Sequence, residues 1–308
     1  MEDYGCPNLD AVDNRSEVRD FLASRRAKIT PERAGLPMFG GHRRVPGLRR
    51  EEVALLAGVS VDYYTRLERG NLGGVSDGVL EALARALQLD EAERAHLFDL
   101  ARAAGTAPAR ARRRTPQPRV RPSVQAILDA MTGAPAAVRN GRLDILATNT
   151  LGRALYSALY RDPVRPANHA RFAFLDPRSR DFWVDWERAA NDTVGILRAE
   201  AGRNPYDKSL TDLVGELSTR SEDFRTRWAA HNVHLHRTGT KLIDHAVVGR
   251  LELMFDNLEL PADTGLTMLV YTAEPGSPSA DALNLLASWA ATLDQAATPD
   301  QASEHHQA

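Results

Sequence analysis

Apolar residues recur at helical spacing through the first hundred positions, and the pattern changes character beyond about residue 122. In "SEVRDFLASRRAKI" Val18, Phe21, Leu22 and Ile29 share one face, which predicts a first helix with Ser16 as its N-cap. "ITPERAGLPMFGGHRRVPG" is broken by Pro31, Pro37, Gly40, Gly41, Pro46 and Gly47, so it reads as loop with at most a turn of helix. "LRREEVALLAGVSVDYYTRLERG", residues 48–70, then reads as two short helices meeting at a sharp turn. "SDGVLEALARALQL" and "DEAERAHLFDLARAA" are amphipathic helices started by Ser76 and Asp90. Residues 16–104 are therefore expected to be all-α, behind a polar tail at 1–15.

Residues 105–122, "GTAPARARRRTPQPRVRP", hold six arginines after Pro108 and no acid, which predicts an extended linker with no core of its own. Beyond it "SVQAILDAMTG" reads as a helix, and "AAVRNGRLDILATN" as two strands around an Asn140-Gly141 turn. "TLGRALYSALYR" is again helical. Helical periodicity continues from "DPRSRDFWVDWERAANDTVGILRAEAG" to "LTDLVGELSTRSEDFRTRWAAH". "GTKLIDHAVVGRLELMFDNLEL" and "GLTMLVYTAE" alternate as antiparallel strands, and "PSADALNLLASWAATL" closes the domain as a helix. Residues 123–293 are thus expected to form an α+β domain with a sheet of about five strands, before a polar tail at 294–308.

Composition changes this picture in one respect. The chain of 308 residues has a net charge of -2, which gives no whole-chain sign of nucleic-acid or membrane binding. Residues 1–122, however, carry 21 Lys and Arg against 17 Asp and Glu, a surplus of 4, while the remainder has 18 against 24. The helical part is the basic one. The single Cys6 forms no internal disulfide, no stretch resembles a signal peptide or spans a bilayer, and a reducing cytoplasm fits best.

Two helices that cross closely need a small residue at their contact, a turn residue tolerant of positive φ, and apolar anchors on the inner side. Ala54, Gly58 and the set Val53, Ala57, Val59, Tyr64 and Leu67 meet those needs in phase, with Ser60 capping the second helix. That is the arrangement of a helix-turn-helix. The outward residues of its second helix are Ser60, Val61, Asp62, Tyr63, Thr65 and Arg66. In the major groove Val61 suits a thymine methyl, Asp62 a cytosine amino group, and Arg66 a guanine or phosphate, while the Tyr63 hydroxyl suits a phosphate. Compensation of the helix dipole accounts for Asp62 equally well. Arg49 and Arg50 stand where the preceding helix begins and suit phosphates; Arg43 and Arg44 in the loop before it suit phosphates or simply solubility.

"PGLRREEVALLAGVSVDYYTRLERG", with "RSRDFWVDWERAANDTVGILRAEAGR", "VGELSTRSEDFRTRWAAHNV" and "YTAEPGSPSADALNLLASWA", resembles the Xre-type, phage-repressor-like regulators that carry an MmyB-like ligand-binding domain. The resemblance runs from about residue 16 to 293. It implies a five-helix DNA-binding domain and a PAS-like C-terminal domain associated with fatty-acid-like ligands; a double-stranded DNA operator is the expected partner, and no cofactor is expected. A single helix-turn-helix reads few base pairs, so a homodimer is expected.

In the second half an apolar interior with tryptophans suits a small hydrophobic molecule, and plain core packing explains it as well. Trp183 and Trp186, three apart on one expected helical face, and Trp228 are the candidate lining; Arg171 beside Phe172 is a candidate anchor for a carboxylate, or else a surface ion pair. A ligand-free dimerisation module is the alternative for this domain. His231, His234, His236 and His245 lack the spacing and the companions of a metal or haem site, and His245 reads as a hydrogen-bonded strand residue. Ser277 and Ser279 read as a turn before a helix capped by Ser279, and no other stretch suggests an enzyme.

Overall fold

The seven residues from Ala54 to Ser60 set the geometry of the N-terminal helices. In the computed structural model, which describes residues 14–36, 45–105, 119–233 and 237–296, helix α1 (Asn14–Lys28) is followed by α2 (Arg50–Ala57), α3 (Val61–Glu68), α4 (Asp77–Ala86) and α5 (Glu91–Gly105). Helix α2 ends at Gly58, whose φ of 66° and ψ of 32° are left-handed and suit a residue without Cβ. The Val59 N–H bonds back to the Ala54 carbonyl at 3.0 Å, and the Ser60 hydroxyl accepts the Tyr63 N–H at 3.1 Å. The chain thus leaves one helix and enters the next within three residues. Val53, Ala54, Ala57, Tyr64 and Leu67 are buried against Phe21, Leu22, Leu83 and Leu97.

The helix starts follow the sequence unevenly. Asp90 and Glu93 form a reciprocal capping box, each carboxylate accepting the other's N–H, at 2.8 and 3.1 Å. Helix α1 is already wound at Asn14, so Ser16 sits in its first turn and does not cap it. Ser76 precedes α4 without a capping bond.

The chain continues through α6 (Pro122–Ala130), β1 (Ala136–Asn140), β2 (Ile145–Thr148), α7 (Thr150–Leu155), a 3-10 turn (Leu159–Arg161), α8 (His169–Leu175), α9 (Arg178–Phe182), α10 (Trp186–Arg203), α11 (Lys208–Arg220) and α12 (Glu222–Ala229). Strands β3 (Thr238–His245), β4 (Gly249–Glu259) and β5 (Leu266–Thr272) and helix α13 (Pro278–Ala296) complete it. The strands form one antiparallel sheet in the order β2-β1-β5-β4-β3. Its period of two separates the faces. Ala137, Leu269, Tyr271, Leu253, Phe255 and Ile243 enter the larger core, while Ala136, Val138, Leu266 and Met268 pack with Val124 and Leu128 of α6. This is the expected α+β architecture beside the all-α helix-turn-helix region.

Three details differ from expectation. The β1–β2 turn is longer than Asn140-Gly141: the Asn140 side chain accepts the N–H groups of Arg142 and Asp144, both at 3.0 Å, and Leu143 takes a φ of 67°. Trp183 and Trp186 do not share a helical face, because α9 stops at Phe182 and Trp183 bridges in extended conformation to Ile243. The hydroxyl at the start of α13 that accepts the helix N–H is that of Ser277, whereas Ser279 accepts from Glu252 at 2.9 Å.

The described residues group into two compact units, and the grouping is not linear along the chain. One holds residues 116–193 and 236–308; the other joins residues 1–115 with 194–235. The later stretch of this second unit brings a fully buried arginine to α1. Arg198 donates to the Glu17 carboxylate and to the Trp228 carbonyl, lies 2.9 Å from His231 Nδ1, and stacks over the Trp228 ring at 4.1 Å. His96 on α5 lies 3.7 Å from Glu17 and directly against Gly202, where a Cβ would come within 2.5 Å of its ring. Burial alone would raise the Glu17 pKa, but His231, His96 and Arg198 together hold it well below the ordinary carboxylate value. Beside this cluster Arg25 pairs with Glu93 and donates to the His231 carbonyl, and Val233 enters the helical core.

Candidate nucleic-acid interface and sensor interior

Helix α3 is divided cleanly between core and solvent. Tyr64 and Leu67 are fully buried; Ser60, Val61, Asp62 and Arg66 are exposed together, and Tyr63 and Thr65 are half-buried at the edge of that face. The Arg66 guanidinium lies 5.0 Å from the Tyr63 ring centroid, which holds the two side chains side by side. The outward residues read from the sequence therefore form one continuous surface.

Arg49 and Arg50 are both exposed at the start of α2, but their surroundings differ. Glu52 accepts the backbone N–H of Arg49 at 2.6 Å, fixing the helix start. Arg49 carries its guanidinium 3.5 Å from the exposed Glu51. Arg50 instead pairs through Nε with Glu68, a buried carboxylate at the end of α3 that also accepts from Arg26 Nε at 2.8 Å. Arg26 in turn donates to the Leu48 carbonyl at 2.9 Å. Arg50 is thus part of the tie between α1, α2 and α3. Arg43 and Arg44 lie outside the described residues.

In the other unit the sheet and helices enclose an aromatic interior. Phe172 meets Phe182 and Trp183 edge-on at 5.6 and 5.2 Å. Trp186 donates its indole N–H to the Ala173 carbonyl at 3.1 Å and carries Arg180 over its ring at 3.8 Å. Trp228 is not with them, since it stacks on Phe224 in the unit that holds α1. Arg171 is half-buried beside Phe172 in a small cleft with Leu159, Pro166 and Ala167. That cleft encloses about 10 Å³, as does another lined by Ala201, Pro205, Leu210 and Val214, so each holds about one water. Neither is a deep apolar pocket.

Sequence reasoning missed the polar groups of this interior. Arg139 on β1 is 7% exposed and donates Nη2 to Asn257 Oδ1 at 2.8 Å. The hydroxyls of Tyr156 and Tyr271 lie 2.5 Å apart. The His169 ring meets the Tyr156 ring at 4.7 Å, is buried, and has no hydrogen-bond partner at either nitrogen. Burial, reinforced by Arg139 and Lys241, pulls the His169 pKa down to about 3, so it is neutral near pH 7. Lys241 on β3 is paired with Asp192 at 2.7 Å. The available signal was the alternation in "AAVRN": Ala137 and Arg139 share a phase, so an arginine was bound to the same sheet face as the core alanine.

His245 is a hydrogen-bonded strand residue, facing the Ala154 carbonyl at 3.1 Å through Nε2 and accepting the Val247 N–H at Nδ1. His234 and His236 lie outside the described residues. Among those residues no helix is long and apolar enough to cross a membrane.

Comparison with known families agrees with this division of labour. A helix-turn-helix domain model matches residues 19–97, and the model of the MmyB-like transcription regulator ligand binding domain matches residues 120–286. Residues 194–235 fall within the second match but pack with the helices of the first. No curated protein matches the chain.

Proposed function

The chain belongs to the MmyB-like transcription regulators, with a DNA-binding helix-turn-helix and a ligand-binding domain, and we propose that it reads a specific operator through the outward face of α3 while its sheet domain senses a small apolar, fatty-acid-like molecule. The observation that carries this reading is the exposure of Ser60, Val61, Asp62 and Arg66 on a short helix whose opposite face, Tyr64 and Leu67, is fully buried. Such a helix offers its first turn to base edges, and the start of α2 offers Arg49 and its backbone N–H groups to a phosphate. Tyr63, Thr65 and Arg50 border that surface, and Arg43 and Arg44 precede it in the chain. Two copies on half-sites about 34 Å apart supply the specificity one helix lacks. The match of residues 120–286 to the MmyB-like ligand binding domain supports an effector, and the apolar character proposed for it follows the aromatic composition of the core around Phe172, Trp183 and Trp186. An effector acts here by binding one state of the regulator better than another.

Binding of the full-length protein to duplexes selected from a random pool, measured over a salt series, tests the DNA reading. Arg49→Ala is expected to weaken all sequences similarly and to reduce the salt slope by about 0.9, the loss of one phosphate contact. Asp62→Asn is expected to change the preferred bases with little change in slope. A protein whose preference and slope ignore both substitutions reads DNA by another surface. Mass spectrometry of molecules extracted from the purified protein tests the sensor reading; a chain that carries and binds no apolar molecule leaves the domain as a ligand-free dimerisation module.

A further inference from the structure

Glu68, at the end of α3, is a carboxylate with a side chain only 2% exposed, and it faces two arginines. Its Oε1 accepts from Arg26 Nε at 2.8 Å, and its Oε2 accepts from Arg50 Nε. One carboxylate against two guanidinium groups leaves one positive charge over. That surplus belongs to the more exposed partner: the Arg26 side chain is 17% exposed and gives a further N–H to the Leu48 carbonyl at 2.9 Å, whereas that of Arg50 is 52% exposed.

Arg50 is held by one edge of its guanidinium. The Nε–H goes to Glu68, and among the described residues no acceptor takes the N–H groups of Nη1 and Nη2. Arg50 is also the first residue of α2, so this open fork is carried at the positive end of a helix dipole. Arg49 beside it is anchored differently, 3.5 Å from the exposed Glu51 and to no buried group. A free arginine loses side-chain freedom when it grips an anion, whereas one already fixed through Nε has lost that freedom on folding. Because Glu68 ends α3 and Arg50 starts α2, the same pair fixes the fork relative to the helix that exposes Val61 and Asp62.

We infer that Glu68 is a positioning residue for DNA binding: by holding Arg50 through Nε it presents the Nη1 and Nη2 fork to a backbone phosphate and sets that contact in register with α3. The inference rests on the reading of α3 as the operator-reading helix and deepens it. A phosphate offers paired oxygens to a planar fork and complements the charge left over. By charge alone an acid near a DNA-facing surface weakens binding. Glu68 is expected to strengthen it, because its own charge is already answered by Arg26 and what it adds is the orientation of Arg50.

The test is binding of the full-length protein to its selected duplex over a salt series, with Arg49→Ala as the reference for a phosphate contact that does not pass through Glu68. Arg50→Ala and Glu68→Gln are each expected to weaken binding roughly tenfold and to lower the salt slope by about 0.9, and the double variant to lower it no further. Arg49→Ala is expected to lower the slope by about 0.9 in the wild-type and Glu68→Gln backgrounds alike. Should Glu68→Gln fail to fold, Arg50→Lys decides: an ammonium drawn to Glu68 has no second edge for a phosphate, so the slope is expected to fall as in Arg50→Ala although the charge is kept. A Glu68→Gln protein with the wild-type slope overturns the positioning role, whether it binds more tightly, as charge alone dictates, or less tightly, as a merely structural role dictates. Wild-type binding by Arg50→Lys, or a slope that ignores Arg50→Ala but responds to Arg49→Ala, overturns it too. A slope that ignores Arg49→Ala and Arg50→Ala alike overturns the reading of this face as the DNA surface, and the positioning role with it.

Discussion

Arg198 and Arg139 are both buried arginines, one in each unit, and what faces them differs. Arg198 meets a carboxylate, a backbone carbonyl and an imidazole, with a second histidine on the same carboxylate. Every charge there is answered within the protein. Arg139 meets one neutral amide and a ring of groups that also donate. The paired charges fix α1 against residues 194–235, even with Arg198 Nε and both His96 nitrogens left without a hydrogen-bond partner, whereas around Arg139 the charge itself has no counter-charge among the described residues. Burial alone therefore says little about what a buried arginine does; the presence or absence of a counter-charge is what separates the two clusters.

The widest separation between the two clusters is expected from removing one charge in each. Glu17→Gln leaves Arg198 buried without its counter-charge and is expected to lower stability by about 3–5 kcal/mol. Arg139→Met in the ligand-free protein removes an uncompensated charge and is expected to change stability by less than about 1 kcal/mol or to raise it. Urea unfolding of both variants gives the comparison, and equal losses would mean that Arg139 is answered within the protein after all.

Acid separates them by window. His169 has a folded pKa near 3 against 6.5 when unfolded, so the unfolded chain takes up the proton first. Its contribution is fully present above 6.5 and is lost as pH falls from there toward 3, about 2 kcal/mol by pH 5. His96 and His245 are lowered in the same direction, chiefly by burial, and add to the same window. Glu17 is a carboxylate with a lowered pKa, so its contribution persists down to about 4.5 and is lost only as pH falls through the lower folded value. His169→Phe is accordingly expected to recover about 2 kcal/mol of the loss between pH 7 and 5 and about 2 kcal/mol more of the loss between pH 5 and 3, with nothing further below that. Unfolding curves at the three pH values decide this.

The smallest effect calibrates the others. The Ser60 cap is a neutral, exposed hydrogen bond at 3.1 Å, and Ser60→Ala is expected to cost about 1 kcal/mol. Because it frays the first turn of α3, DNA affinity should fall in the same variant. A stability change as large as that of Glu17→Gln would show that the cap holds more than its own helix.

Local rules made the DNA-binding half legible. Gly58, Ser60 and the inward set of α2 and α3 each act over a few residues, and they appear where spacing placed them. The sheet was legible through its alternation, although the turn after Asn140 was set by a side chain bonding to backbone N–H groups and not by the Asn-Gly pair. What stayed hidden depends on distant pairing. Glu17 reads as an ordinary surface residue of an amphipathic helix, and its partner lies 181 positions away. His169 and Tyr271 likewise meet Tyr156 only through the folded sheet and helices. Trp228 looked like its fellow tryptophans until the chain's return to the first unit separated it from them.

That return also sets a schedule for synthesis. Domains usually fold in order as the chain leaves the ribosome, each complete before the next begins. Here Val233, which enters the core of the helix-turn-helix unit, is made about 130 residues after α5 ends, which at roughly 5–20 residues per second is a wait of about 6–26 s. Through that interval Glu17 and Arg25 have emerged without Arg198 or the His231 carbonyl. A nascent or prematurely ended chain thus holds an operator reader whose brace is still missing, and that brace is supplied by sequence lying inside the sensor's own span. The cell obtains a finished DNA-binding unit only together with most of the part that governs it.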